Sequence, residues 1–219
     1  AHPTEMVARR SAWEAVVALH GRGTPEVLET AQALTCSEDP DERSLGADIL
    51  GQLGISREGS TLAFPRESLE ILLEMLDQEE EPDVLESILV AFSHLRDPKI
   101  IDSVAHLAKH PDPDVRQSRC LALAGYDEPA AVQMLIDLST DKETEVRNWA
   151  TFALGTQLEI DNPQLREALA SRLQDADEEV RGEALVGLAR RKDQRVVPAL
   201  KQELQADGVH QLFVEAAEL

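Results

Sequence analysis

Hydrophobic positions along the chain recur at three and four residues, the period of a helix with one buried face, and almost nowhere at two. The clearest stretches run Arg147-x-x-Ala150-x-x-Ala153-Leu154 and Arg181-x-x-Ala184-x-x-Gly187-Leu188. Each follows a carboxylate and a Val, as Glu145-Val146-Arg147 and Glu179-Val180-Arg181, and a third copy stands at Asp114-Val115-Arg116. Weaker copies are Asp83-Val84-Leu85 and Asp41-Glu42-Arg43. Counted between Arg43, Leu85, Arg116, Arg147 and Arg181, the intervals are 42, 31, 31 and 34 residues. That is the length of a two-helix unit, so the pattern predicts a helical hairpin repeated along the chain.

The helix breakers fall where such hairpins need them. Pro65, Pro98, Pro129, Pro163 and Pro198 stand at or near the expected starts of first helices, where a missing N–H costs nothing. Asp39, Glu81, Asp112, Glu143 and Asp177 precede the markers by two residues and place an acceptor at the start of each second helix. The repeats are expected at about 24–54, 65–96, 98–125, 129–157 and 163–191. A lone helix over 4–20 precedes them, and a degenerate capping unit over 195–219 follows. Residues 55–64 read as a Gly/Ser loop inserted between repeats, because the same period resumes after it. The predicted fold is all-α, a single right-handed α-α superhelix over 1–219. Small residues three apart let neighbouring helices approach, and Leu fills the layers between them.

Composition narrows the function. Only 3% of residues are aromatic, so the core must be aliphatic. The 42 acidic residues against 21 Lys and Arg give a formal charge of -21, which repels nucleic acid and anionic lipid and favours a basic protein or peptide partner. Cys36 and Cys120 have no CxxC spacing and read as reduced thiols inside helices. The first twenty residues are interrupted by Glu5, Arg9, Arg10 and Glu14, and no run reaches a membrane-spanning length. A cytoplasmic protein is the expectation.

The D-x-x-V-R opening followed by small residues and Ala153-Leu154-Gly155 resembles the short HEAT repeats of the phycobilisome-lyase-like type, along nearly the whole chain. The stretches Val146–Gly155 and Glu183–Arg191 resemble segments of bacterial HEAT-repeat proteins. The resemblance implies an α-solenoid, and that repeat serves scaffolds, adaptors and a few enzymes. Deoxyhypusine hydroxylases of this type bind iron through His-Glu dipeptides, which none of the six histidines forms. HEAT-like DNA glycosylases use a Trp followed one turn later by a carboxylate on a basic face; here Trp149 is followed by Ala153, and the charge has the wrong sign. Chromophore lyases share the repeat, which leaves a tetrapyrrole- or small-molecule-handling role as the alternative, with a DNA-glycosylase-like role behind it.

Five groups of side chains carry whatever chemistry the surface has. His106 and His110, four apart with Asp112 beyond, would share a helix face opposite Ile101, Val104, Ala105 and Ala108; two such histidines without a third ligand read as solvated residues. Arg43, Arg116, Arg147 and Arg181 form a structural ladder with carboxylates of the stacked units. Arg116 is expected to meet Glu145 or Asp114, and Arg147 to meet Glu179 or Glu145, with Leu85 breaking the row. From Glu67 to Leu95 nine acids occur without a Lys or Arg, and Arg190, Arg191, Lys192 and Arg195 cluster at a helix end, where they suit its dipole. The wall of second helices is expected to be concave and to present Gln117, Asn148, Trp149 and Glu183 to a partner, with Ser118 and Gly182 leaving room. No nucleophile-base pair, phosphate loop or three-ligand metal set assembles. The expectation is therefore a non-catalytic scaffold with neither metal nor cofactor.

Overall fold

The computed structural model describes residues 21–55, 61–205 and 210–219. The expected lone helix over 4–20 and the middle of the inserted loop lie outside the described residues. The chain divides into two compact units at the junction of Ser103 and Val104. All regular structure in the described residues is helical.

The first unit holds α1 (Pro25–Thr35), α2 (Pro40–Gln52), α3 (Pro65–Leu76), α4 (Pro82–Leu95) and the short α5 (Lys99–Ser103). Helices α1, α3 and α5 pack in series, as do α2 and α4, so first and second helices form two layers. Between them lie Leu50, Leu72, Leu85, Ile88, Leu89 and Phe92, all sealed from solvent. Each aliphatic side chain so buried stabilises the unit by about 1.5–3 kcal/mol. The second helices approach too closely for a side chain at Gly51, where a Cβ would stand 2.6 Å from the Cα of Ala91.

The second unit opens with a 3-10 turn (Ala105–Lys109), followed by α6 (Pro113–Leu123), α7 (Pro129–Leu138) and α8 (Thr144–Phe152). Helix α8 ends in a wide π-type turn, Ala153–Gln157; α9 (Pro163–Arg172), α10 (Glu178–Arg190), α11 (Val196–Glu203) and α12 (Gln211–Glu218) complete the unit. Its second helices α6, α8, α10 and α12 pack one upon the next. The marker residues Val115, Val146 and Val180 are fully buried between layers. Gly155 and Gly187 meet backbone to backbone where α8 hands over to α10: a Cβ on Gly187 would lie 2.6 Å from the Cα of Gly155.

Capping follows the acids two residues ahead of the markers. Asp39, Asp112 and Asp177 accept from the backbone N–H of Asp41, Asp114 and Glu179. Glu81 and Glu143 hold the same positions without a capping bond, because the extra methylene carries the carboxylate past the amide. Pro40, Pro82 and Pro113 open three of the second helices as well.

Two expectations fail in this region. Cys36 caps the end of α1 and is exposed, whereas Cys120 is buried within α6. Residues 104–110 do not continue an α-helix. The Ser103 hydroxyl donates to the Ile100 carbonyl and competes with the helical ladder, and His110 must be extended ahead of Pro111. In the resulting 3-10 turn His106 and His110 no longer share a face, and Ala105 and Ala108 are exposed instead of buried.

Candidate functional site

The arginine row is the most regular chemical feature. Arg116 extends backward along its own helix, as helical side chains do, toward the turn joining first and second helices. Its Nη1 donates to the carbonyls of His110 and Pro111, while Nε and Nη2 donate to Asp141 of the next repeat at 2.8 and 2.9 Å. Arg147 repeats this on the carbonyls of Asp141 and Lys142 and on Asp175, and Arg181 on those of Asp175 and Ala176 and on Glu203. In the first unit Arg43 takes the carbonyls of Ser37 and Glu38 and both oxygens of Glu79.

The rung partners are therefore Glu79, Asp141, Asp175 and Glu203, and not the marker acids. Asp114, Glu145 and Glu179 sit on the first turn of their helices and are exposed. The true partners stand at the end of the first helix or just beyond it, two residues ahead of the capping acid in three of the four cases. There they also accept the capping residue's own N–H: Asp141 from Glu143 at 2.9 Å, Asp175 from Asp177 at 3.2 Å and Glu79 from Glu81 at 3.0 Å. Ser37 and His110 occupy the same position and accept from Asp39 and Asp112. Leu85 stands where other second helices carry the guanidinium, and His110 stands where other turns carry the rung carboxylate. Arg116 and its neighbouring N–H donors hold the Asp141 carboxyl below the usual carboxylate range.

Other cations are also committed internally. Arg191 donates to the carbonyls of Leu154, Gly155, Leu158, Ile160 and Gly187, closing the open ends of α8 and α10. Arg195 pairs with Asp193 and Glu167, and Arg166 with Asp161 and Asp193. Within the acidic stretch 67–95, Glu79 serves Arg43 and Glu70 pairs with Arg66, while Glu67, Glu74, Asp77, Glu80, Glu81 and Asp83 face solvent.

The wall of second helices in the C-terminal unit is different: among the described residues its carboxylates Glu179, Glu183 and Glu215 form no ion pair. Gln117 on α6, Asn148 and Trp149 on α8 and Glu183 on α10 are all partly exposed. Asn148 donates to Glu179 at 3.4 Å, and Trp149 stands edge-on to Phe152 at 5.9 Å between ring centres. Glu183 is pushed up to about 7 by burial, then by the carboxylates of Glu215 and Glu179. Asn148, Glu179, Glu183 and Glu215 thus form one polar track running from α8 to α12. Gln117 stands one helix further along. Ser118 and Gly182 leave no space: Ser118 is buried, and a Cβ on Gly182 would meet the side chain of Leu212 at 2.7 Å. Glycine is there to admit α12.

Helical pairs at this spacing match a profile of HEAT repeats over residues 69–155 and 138–218. The chain belongs to the HEAT-repeat family. A stretch of 77 residues is 44% identical to the protein YibA of Escherichia coli, covering 35% of this chain and 27% of that relative's length. The crystal structure of Escherichia coli YibA is similar to this HEAT-repeat chain with a TM-score of 0.75 and 29% identity, over 92% of this chain and 73% of that one. An archaeal HEAT-like repeat protein of Thermococcus onnurineus shares the fold, with a TM-score of 0.64 at 16% identity over 93% of this chain and 89% of that one. Among the described residues no helix is long and apolar enough to cross a membrane, and no group of three or more His, Cys, Asp or Glu is arranged to hold a metal.

Proposed function

We propose that this HEAT-repeat protein is a non-catalytic scaffold that binds a basic protein or peptide along the wall of second helices in its C-terminal unit. The observation that carries this reading is Glu183. Its carboxylate is partly buried, the groups acting on it are two further carboxylates, and a partly exposed Trp149 stands on the neighbouring helix. Arg147 and Arg181 on the same helices as Trp149 and Glu183 are bound to carbonyls and rung acids. An incoming Lys or Arg supplies the missing charge and finds an aromatic ring close by. Asn148 and Gln117 add amide groups for the partner's backbone. Binding driven this way weakens with salt, since screening acts over about 8–10 Å at physiological ionic strength.

The test is site-specific photo-crosslinking in the native host. A photoreactive phenylalanine analogue in place of Trp149 should capture a partner with a basic contact segment, and the same group in place of His106 should not. Capture from position 106 alone, or a contact segment without basic residues, would refute the proposal.

A further inference from the structure

Arg119 breaks the pattern of the second helices. It stands three residues after Arg116, and the same place in the four other repeats is held by Gly46, Ile88, Ala150 and Ala184, all small or aliphatic and all buried. The place faces the first helix of its own repeat: a Cβ on Gly46 would lie 2.9 Å from the carbonyl oxygen of Ala31 and the amide nitrogen of Thr35. The equivalents of Ala31 and Thr35 are Val104 and Ala108, at the start of and within the 3-10 turn that packs on α6. Arg119 is therefore carried beneath that turn, and it is 2% exposed. Among the described residues nothing answers its charge. Its Nε is buried without an acceptor, and none of its N–H groups is hydrogen-bonded or paired with a carboxylate. By contrast Arg43, Arg116, Arg147 and Arg181 grip rung acids at 2.7–3.0 Å, which raises them above the ordinary arginine value. Burial draws Arg119 below that value. Of the two groups that act the other way, Cys120 is pushed up to about 12 and is a neutral thiol at pH 7, and Asp137 is exposed and accepts from Gln133 at 2.8 Å.

We infer that the Arg119 guanidinium is a binding site for a small free oxyanion, reached past the 3-10 turn and separate from the second-helix wall. A planar fork of N–H donors matches two oxygens of one phosphate or carboxylate, and such a pair is strongest where water is excluded. An opening that leaves 2% of Arg119 exposed admits an ion and not a segment of a partner chain. The 3-10 turn is the way in, because its hydrogen bonds are poorer than those of an α-helix and Ala105, His106, Ala108 and Lys109 on it are exposed. A bound oxyanion supplies the counter-charge that the chain withholds, and a buried cation needs one.

The test is NMR of the full chain carrying isotope-labelled arginine, with the Arg119 Nε–H signal identified by its loss in Arg119→Met. Inorganic phosphate or acetate is added while sodium chloride holds the ionic strength constant. Phosphate should shift that signal saturably and leave the Arg116 and Arg147 signals in place; saturation by acetate instead would support the site with a carboxylate as its ligand. At about ten times its Kd, phosphate should raise the Tm of the parent chain by about 3–6 °C and leave that of Arg119→Met unchanged. Without added oxyanion, Arg119→Met should melt at the parent's temperature or above it, since an apolar side chain replaces an unpaired buried charge. No saturable shift with either oxyanion would overturn the inference. So would an equal rise in Tm for Arg119→Met, or a markedly lower Tm for that variant without ligand, which would show that the chain itself holds the guanidinium.

Discussion

The Arg116 guanidinium grips Asp141 of the following repeat with two hydrogen bonds, at 2.8 and 2.9 Å, while its third nitrogen holds two carbonyls of its own turn. One side chain thus ties a hairpin shut and fastens it to its neighbour. Arg116 is 4% exposed, so removing it strands a partly buried carboxylate and two carbonyls together.

Stability should follow that geometry. Arg116→Ala and Arg147→Ala are expected to cost about 2–4 kcal/mol each, somewhat less than the loss of a fully buried pair because part of each rung stays solvated. Arg190→Ala, at an exposed position, should stay within about 0.5 kcal/mol. Urea denaturation of the three variants checks this, and equal midpoints would show that the row does not hold the repeats together.

The rungs should also fail in acid. Asp141 has its folded-state ionisation below that of the unfolded chain, so the folded state binds fewer protons and its advantage is present above the unfolded carboxylate value, about 3.9. It is lost as pH falls through the lower folded value. Asp141→Asn should be less stable at pH 7 and converge on the parent as pH falls below the folded-state value.

Glu183 should behave in the opposite sense. Its folded-state value, about 7, lies above the unfolded one, so its ionisation costs stability as pH rises from about 4.5 to 7. Glu183→Gln should match the parent at pH 4 and be stabilised above pH 7. After allowance for solvent screening the gain is about 1 kcal/mol. Thermal melts across this range check both the sign and the window.

The two thiols should separate cleanly. Burial pushes Cys120 up to about 12, whereas Cys36 is exposed at the end of α1. Native protein at pH 8 should therefore react once with a thiol reagent, at Cys36, and a second time only on unfolding. Fast labelling of Cys120 would show that α6 opens readily.

Much of the fold was legible because it rests on local rules. The breakers, the capping acids and the small-residue spacing placed the helix pairs, and the marker valines proved to be fully buried between layers. The ladder was half legible. Its arginines announced themselves, but their partners Asp141 and Asp175 looked like ordinary turn residues, and only the backward tilt of a helical side chain brings Arg116 to one and Arg147 to the other. Gly182 read as open space because a sequence does not show what lies above a glycine, here Leu212. Likewise, four-residue spacing put His106 and His110 on one helical face, and the competing Ser103 hydroxyl with Pro111 beyond undid it.

The central claim is that a basic partner lies on the wall around Trp149 and Glu183. Isothermal titration with the partner captured at position 149 tests it most directly, comparing the parent chain with Trp149→Ala, Glu183→Ala and His106→Ala at low and high salt. The account predicts losses of about tenfold or more for the first two, none for His106→Ala, and weaker binding of the parent chain as salt rises. Binding that survives Trp149→Ala and Glu183→Ala but is lost with His106→Ala would contradict it.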